Sequence, residues 1–394
     1  MPWKEAYVKD LRAEFVLRSI RREMPFRALC AEYGISTKTG YKWRDRFLEV
    51  GVAGLEDESR RPHGSPNQLG DERVCELIKL KTRHPSWGPK KIRELLRRGG
   101  GGSKTPSLST VKRVLDRAGL VEHRRRRRTE QCGRIENPGT AEGPNDVWTV
   151  DFKGNWYSTN CKRIEPLTVR DDYSRYVLCV EVLKDNQTQT VRRRFEKLFE
   201  VYGLPQTIRS DNGAPFASTR SPLGLTRLSS WWVALGISLD RIKPGCPSQN
   251  GGHERMHRDI AWEVEGSVEG EIRKHQAALE TWRHTFNHER PHEALDMRVP
   301  ADVYRKSSRP FKSGQIDLVY PPEYLVRRAS RTGSISISAC SIRISLAVSG
   351  WDLGLLPIGE QVFSLWFGPL HLGIIELRTE SFSGGLLPPP GRGE

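Results

Sequence analysis

Five consecutive arginines, Arg124, Arg125, Arg126, Arg127 and Arg128, set the firmest limit on how this chain can fold. No core can take five adjacent, permanently charged guanidinium groups, so the run must be solvated or paired with anions. A single compact body therefore cannot pass through it. The two sides of the run also differ. Residues 1–130 hold 31 Lys and Arg against 17 Asp and Glu, a surplus of 14 within a whole-chain surplus of 16. The remainder holds 33 basic and 31 acidic groups and is close to neutral. A basic front of this kind points to a polyanion, with nucleic acid the commonest, and the arginine run reads as a phosphate-contacting arm rather than a plain solubilising linker.

Punctuation gives the remaining boundaries. Gly, Pro and Ser cluster between Ser59 and Gln68, Gly99 to Ser103 breaks the next helical stretch, and Glu130 to Pro144 is polar with Gly and Pro. We expect a helical domain at 1–58, a linker at 59–70, a second helical domain at 71–122 and a basic linker at 123–144. An α/β domain at 145–305, a β-rich domain at 306–380 and a disordered tail at 381–394 complete the division. The 33 aromatic residues exclude full disorder. No run of about 18 apolar residues occurs, so neither a membrane span nor a secretory leader is expected. Seven scattered Cys without a C-x-x-C pair fit the reduced thiols of a cytosol.

Residues 24–48 have helix-turn-helix spacing. Phe26, Leu29, Cys30 and Tyr33 form one apolar face, Gly34 permits a turn with positive φ, and Ser36 can cap a second helix. That helix presents Thr37, Lys38, Thr39 and Lys42 to a major groove. Gly40 within it is the one discordant residue, costing about 1 kcal/mol relative to Ala. Residues 71–121 offer three more amphipathic helices, with Ser109 as a candidate cap. Two basic helical modules in tandem suit an extended duplex site.

Three carboxylates stand out in the neutral half. Asp151 interrupts the apolar alternation of a strand, Asp211 ends a short strand in Asp-Asn-Gly, and Glu254 opens a helix after a Gly pair. Singly, each has an ordinary structural reading, as a strand edge, a turn residue and a helix-dipole partner. Together, 60 and 43 residues apart, they are more specific. The segments Trp148 to Gly154, Ser210 to Phe216 and Gln249 to Arg258 resemble the three catalytic motifs of the insertion-sequence DDE transposases that share the retroviral integrase core. Leu167 to Tyr176 resembles the family's second-strand hairpin, and Ser59 to Pro62 and Trp87 to Ile92 resemble its front region; the likeness spans roughly residues 10–330.

That resemblance implies a central RNase H-like α/β core between N-terminal all-α helix-turn-helix modules and a small C-terminal β domain. It also implies a DNA transposase that cleaves and transfers strands with no covalent intermediate. Phosphodiester attack needs a deprotonated nucleophile and a stabilised leaving alkoxide, and two Mg²⁺ ions about 3.5–4 Å apart supply both. Mg²⁺ takes hard oxygen ligands, and Mn²⁺ can substitute for it. By the resemblance Asp151 bridges both ions, while Asp211 and Glu254 hold one each. Lys243, Arg255 and Arg258 are candidates to position DNA. The expected partners are double-stranded DNA, as element terminal repeats and target, and further copies of the chain in a homo-oligomer on that DNA, in the bacterial cytosol. Asp171 and Asp172 are read as hairpin residues.

Two alternatives use the same residues. A helix-turn-helix regulator with an inactive core needs no catalysis. His253-Glu254-Arg255-Met256-His257 also satisfies H-E-x-x-H, a zinc peptidase pattern. Against the latter, the helix begins only at Asn250 or Gly251, its surroundings are highly charged, and no third ligand declares itself. The strand patterns of residues 333–378 suggest a small β-barrel, although only Arg343 is basic between 333 and 370.

Overall fold

The computed structural model describes residues 8–57, 69–99, 105–121, 141–243, 247–266, 270–314 and 316–385. They fall into two compact units, Met1–Gly70 and Asp71–Glu394.

The first unit contains α1 (Val8–Ile20), α2 (Phe26–Glu32) and α3 (Thr37–Val50), closed by a 3₁₀ turn at Gly51–Leu55. Its core is Phe15, Val16, Leu29, Cys30, Trp43 and Leu55. Gly34 takes φ +65° between α2 and α3, and Ser36 Oγ accepts from the Thr39 amide at 3.2 Å to start α3. Gly40 has a packing reason that its helix propensity concealed. A Cβ there would lie 2.7 Å from Cys30 Sγ and 2.9 Å from Phe15 Cζ, so only glycine lets α3 approach α1 and α2 this closely.

The second unit begins with α4 (Asp71–Arg83), α5 (Pro89–Gly99) and α6 (Leu108–Arg117), packed around Leu77, Trp87, Ile92, Leu96, Val111 and Leu115. Ser107, not Ser109, caps α6, accepting from the Thr110 amide at 3.2 Å. The chain then builds a five-stranded sheet from β1 (Val147–Phe152), β4 (Pro166–Asp171), β5 (Val177–Val182), β6 (Thr207–Ser210) and β7 (Ser238–Arg241). A short ribbon, β2 (Trp156–Tyr157) with β3 (Arg163–Ile164), lies between β1 and β4 in sequence. The sheet order is β5-β4-β1-β6-β7, with β4 antiparallel to β1 and to β5, and β6 parallel to both β1 and β7.

Alternation along the central strands separates two faces. Trp148 and Val150 of β1, with Leu167 and Val169 of β4, point toward α7 (Thr188–Tyr202) and α8 (Arg227–Ala234), joining Phe195, Phe199, Trp231 and Trp232. The opposite face carries α9 (Gly251–Ile260), which runs into a π-turn at Ala261–Glu265, and α10 (Ile272–His288). Met256, Ile260, Leu279 and Trp282 meet Val177 and Val180 of β5 there. Asn287 clips α10 to the sheet, with Oδ1 accepting from the Val177 amide and Nδ2 donating to its carbonyl at 2.8 and 2.9 Å. The helical module docks on this layer: Ser86 bonds Glu263, Lys90 pairs with Glu293 at 2.6 Å, and Arg98 donates to the Met297 carbonyl at 2.7 Å.

A short α11 (Pro300–Val303) leads to β8 (Leu325–Arg328), β9 (Ser334–Ile337), β10 (Cys340–Arg343), β11 (Asp352–Gly359), β12 (Val362–Phe367), β13 (Leu370–Glu376) and β14 (Ser381–Gly384). Five of these make an antiparallel sheet, β14-β13-β12-β11-β8, and the β9–β10 hairpin touches both of its edge strands. The expected barrel is thus an open sheet completed by a hairpin over Leu353, Leu355, Leu365, Phe367 and Ile375. Pairing with β13 draws residues 381–384 into that sheet, so the expected disordered tail gives up its first four residues. No helix among the described residues is long and apolar enough to cross a membrane. The five described cysteines are free thiols.

Candidate active site

Register brings the first two carboxylates together. Val150 of β1 pairs with Ser210 of the parallel strand β6, so Asp151 and Asp211, each one residue further on, stand side by side at the carboxyl ends of adjacent strands. Asp211 stays there because its Oδ1 accepts from the Gly213 amide at 3.1 Å, the Asx-turn geometry of Asp-Asn-Gly. Glu254 lies exposed on the first turn of α9, whose apolar side holds the helix to the sheet.

Electrostatics tie the three to one region. The Asp151 carboxyl is pushed up to about 7, mainly by burial, then by the charge of Asp211 and, less, of Glu254, while a backbone bond from Phe152 opposes the rise. Burial also raises Asp211, against the Gly213 bond and the charge of Arg241. Neither aspartate has an ion pair to Lys or Arg among those described. The donor set therefore fits a hard divalent cation in two respects: its ligands are carboxylate oxygens, and its negative charge is poorly compensated. The side chains do not form a ready-made cage, since no three His, Cys, Asp or Glu among the described residues stand close enough to enclose an ion.

Two features of the site escaped the sequence reading. Arg241 ends β7 opposite Ser210, beside Asp211, with its Nη2 buried and unbonded. Burial lowers its guanidinium to about 10, against the pull of Asp211. Its position at a parallel strand end was the available signal, but only once the β6–β7 register is known. The second is a set of polar residues beneath α9. Thr149 and Asp151 of β1 pair with Arg170 and Thr168 of β4, and all four face the helix. His253 and His257 reach them. Both Nε2 atoms lie 2.8 Å from Thr168 Oγ1, and His253 Nδ1 lies 2.8 Å from Thr149 Oγ1. These contacts occupy the ring nitrogens that a zinc site would need, so the H-E-x-x-H pattern serves another purpose here.

Asp171 and Asp172 are structural. Asp171 accepts from the Asn145 and Ser174 amides at 2.7 and 2.8 Å. Asp172 bridges Arg170 and Arg209 at 2.6 and 3.3 Å, joining β4 to β6. Among the candidate DNA contacts, Thr37, Lys38 and Lys42 are exposed on α3, whereas Thr39 is half-buried and its hydroxyl meets Ser36 Oγ at 2.9 Å. Arg255 and Arg258 are exposed on α9, and Lys243 is exposed two residues beyond the end of β7. Arg124 to Arg128 lie outside the described residues.

Family models match both the helical front and the sheet domain of this chain. Residues 141–247 and 235–300 match the integrase core domain, residues 11–63 a helix-turn-helix domain and residues 39–115 a homeodomain-like domain. The chain thus combines helix-turn-helix regions with an integrase core, as the insertion-sequence transposases with a retroviral-integrase-type core do. Its relatives include the insertion element IS407 uncharacterized 31.7 kDa protein of Burkholderia multivorans, 26% identical over 65% of this chain and 88% of that protein. Another is the insertion element IS476 uncharacterized 39.2 kDa protein of Xanthomonas euvesicatoria, 26% identical over 64% of this chain and 69% of that one. Among solved structures, the HTLV-2 integrase catalytic core domain in complex with magnesium aligns over 42% of this chain and all of that one, at 15% identity and TM-score 0.33. The simian T-cell lymphotropic virus intasome aligns over 75% of this chain and 97% of that one, at 14% identity and TM-score 0.37.

Proposed function

We propose that this chain is a DNA transposase of an insertion sequence, binding element ends and catalysing divalent-metal-dependent strand cleavage and strand transfer. The observation that carries the reading is the β1–β6 register, which sets Asp151 beside Asp211 at the mouth of the sheet with Glu254 acting on the same carboxyl. Asp151, Asp211 and Glu254 are the residues to hold Mg²⁺ or Mn²⁺, two ions per site. Bound there, the metal supplies nucleophile activation and stabilisation of the leaving oxygen. The protein's own part is to keep Asp151 and Asp211 on adjacent rigid strands, present Glu254 from α9, and offer Arg241 as a donor beside Asp211. Exposed Lys243, Arg255 and Arg258 offer positive charge suited to a DNA backbone. Thr37, Lys38 and Lys42 read duplex DNA from α3, with the arginine run as a further phosphate contact. Such a protein works in the bacterial cytoplasm, as a homo-oligomer on paired element ends.

The test is cleavage of labelled element-end DNA in Mg²⁺. Wild type nicks or joins the ends, and Asp151→Asn loses at least about a hundredfold in rate with end binding retained. Cleavage by Asp151→Asn at the wild-type rate removes the catalytic assignment. End binding by a wild-type chain that never cuts supports the non-enzymatic regulator instead.

A further inference from the structure

The contacts beneath α9 allow one consistent assignment of hydrogens. Thr168 Oγ1 donates its proton to the Asp151 backbone carbonyl at 2.9 Å. Its two lone pairs then accept from His253 Nε2–H and His257 Nε2–H, both at 2.8 Å. His253 Nδ1 is thereby an acceptor, filled by the Thr149 hydroxyl at 2.8 Å, and Thr149 in turn accepts from Arg170 Nε at 3.3 Å. Every side-chain polar atom of Thr168 and His253, both fully buried, is used. The second imidazole is held through Nε2 alone: the rings lie 5.0 Å apart at 84°, and His257 Nδ1 is 3.9 Å from Asp151 Oδ2, too far for a hydrogen bond. The Arg170 guanidinium lies against the first turn of α9, where a Cβ on Gly252 would come within 2.1 Å of Nη2.

We propose that Thr168, gripped by His253 and His257, is a positioning residue that fixes the helix bearing Glu254 to the strand bearing Asp151. This rests on the transposase reading for its consequence, metal binding, but not for its geometry. One hydroxyl on β4 bonds the backbone at one carboxylate and two side chains flanking the other. Helical spacing i, i+4 sends both imidazoles to the same side, so the pair behaves as a two-pronged clamp. Glu254 lies one residue from one prong and three from the other, and the clamp limits where its carboxylate can travel. Groups that orient metal-holding carboxylates in this way typically change metal affinity by about 10–100-fold when removed.

The clamp is tested with Thr168→Val, Thr168→Ser and His257→Leu in the full chain. Two quantities are read: amide hydrogen exchange of residues 251–260 without metal, and the Mn²⁺ concentration for half-maximal cleavage of end DNA. We expect Thr168→Val and His257→Leu to speed exchange in α9 and raise the Mn²⁺ requirement at least about tenfold, with end-DNA affinity unchanged. Thr168→Ser, which keeps the hydroxyl, should restore both to within about threefold of wild type. Wild-type exchange and Mn²⁺ requirement in His257→Leu overturn the proposal, as does Thr168→Ser as impaired as Thr168→Val. Should Thr168→Val fail to fold, His257→Leu and Thr168→Ser decide the matter. If wild type cuts no end DNA in either metal, the transposase reading falls while the exchange data still judge the clamp.

Discussion

Gly40 shows how a residue's role can invert between helix propensity and packing. In an isolated helix, Gly to Ala gains roughly 0.5–1 kcal/mol. In α3 the added methyl would meet Cys30 Sγ at 2.7 Å and the Phe15 ring edge at 2.9 Å. Overpacking of this kind costs about 1–3 kcal/mol. Gly40→Ala should therefore lower the stability of the first unit, seen as faster amide exchange across residues 8–50 under denaturant. A stabilised variant would show that α3 can shift outward at no cost. Ser36 and Gly34 were legible beforehand because their demands are local: a cap acts over three residues, a positive φ over one. Gly40 was not, since its neighbours belong to two other helices.

At the scale of elements, periodicity is readable: the β1 alternation shows in the sequence, and so do helical patterns over 187–202 and 271–287, where α7 and α10 lie. Docking was not. Nothing in the pattern of α5 and the loop before it shows that Trp87 lies under Arg290, 5.9 Å from the ring centroid, or that Lys91 faces Arg290 and the acids Asp259, Glu263 and Glu293. Burial, then Arg290, lowers Lys91 from 10.5 to about 8, and the three acids oppose the fall. Between pH 8 and 10.5 the unfolded chain therefore binds more protons at this position than the folded one, so stability rises with pH across that window. Below pH 8 the cost of burying the charge is fully present. Lys91→Met should stabilise the second unit at pH 7 and flatten its stability curve between about pH 8 and 10, relative to wild type. Parallel curves for the two proteins would show that α5 is not seated on the core. The candidate site divides the same way: Asp151 shows as an interrupted alternation, Asp211 as a turn residue and Glu254 as a helix start, whereas Arg241 and the threonines beneath α9 become visible only through strand register.

For the whole molecule, the charge asymmetry has a measurable counterpart. End binding that depends on Lys38 and Lys42 should weaken when either is replaced by Ala, and the salt dependence of log K should drop by about 0.9 for each phosphate left without its cation. An unchanged slope would remove α3 from the interface. The connectivity of the two units has a consequence in time. The first unit is complete within its own 70 residues. The paired carboxylates instead wait for β1 to meet β6, and for α9 to settle over the sheet, because parallel neighbours must be fetched from distant parts of the chain. Synthesis at about 5–20 residues per second separates completion of the first unit from emergence of Glu254 by about 10–40 s. On the proposed transposase reading, a nascent chain in that interval holds a finished helix-turn-helix unit without its carboxylate site, so it would meet an end near its own ribosome before being able to act on it.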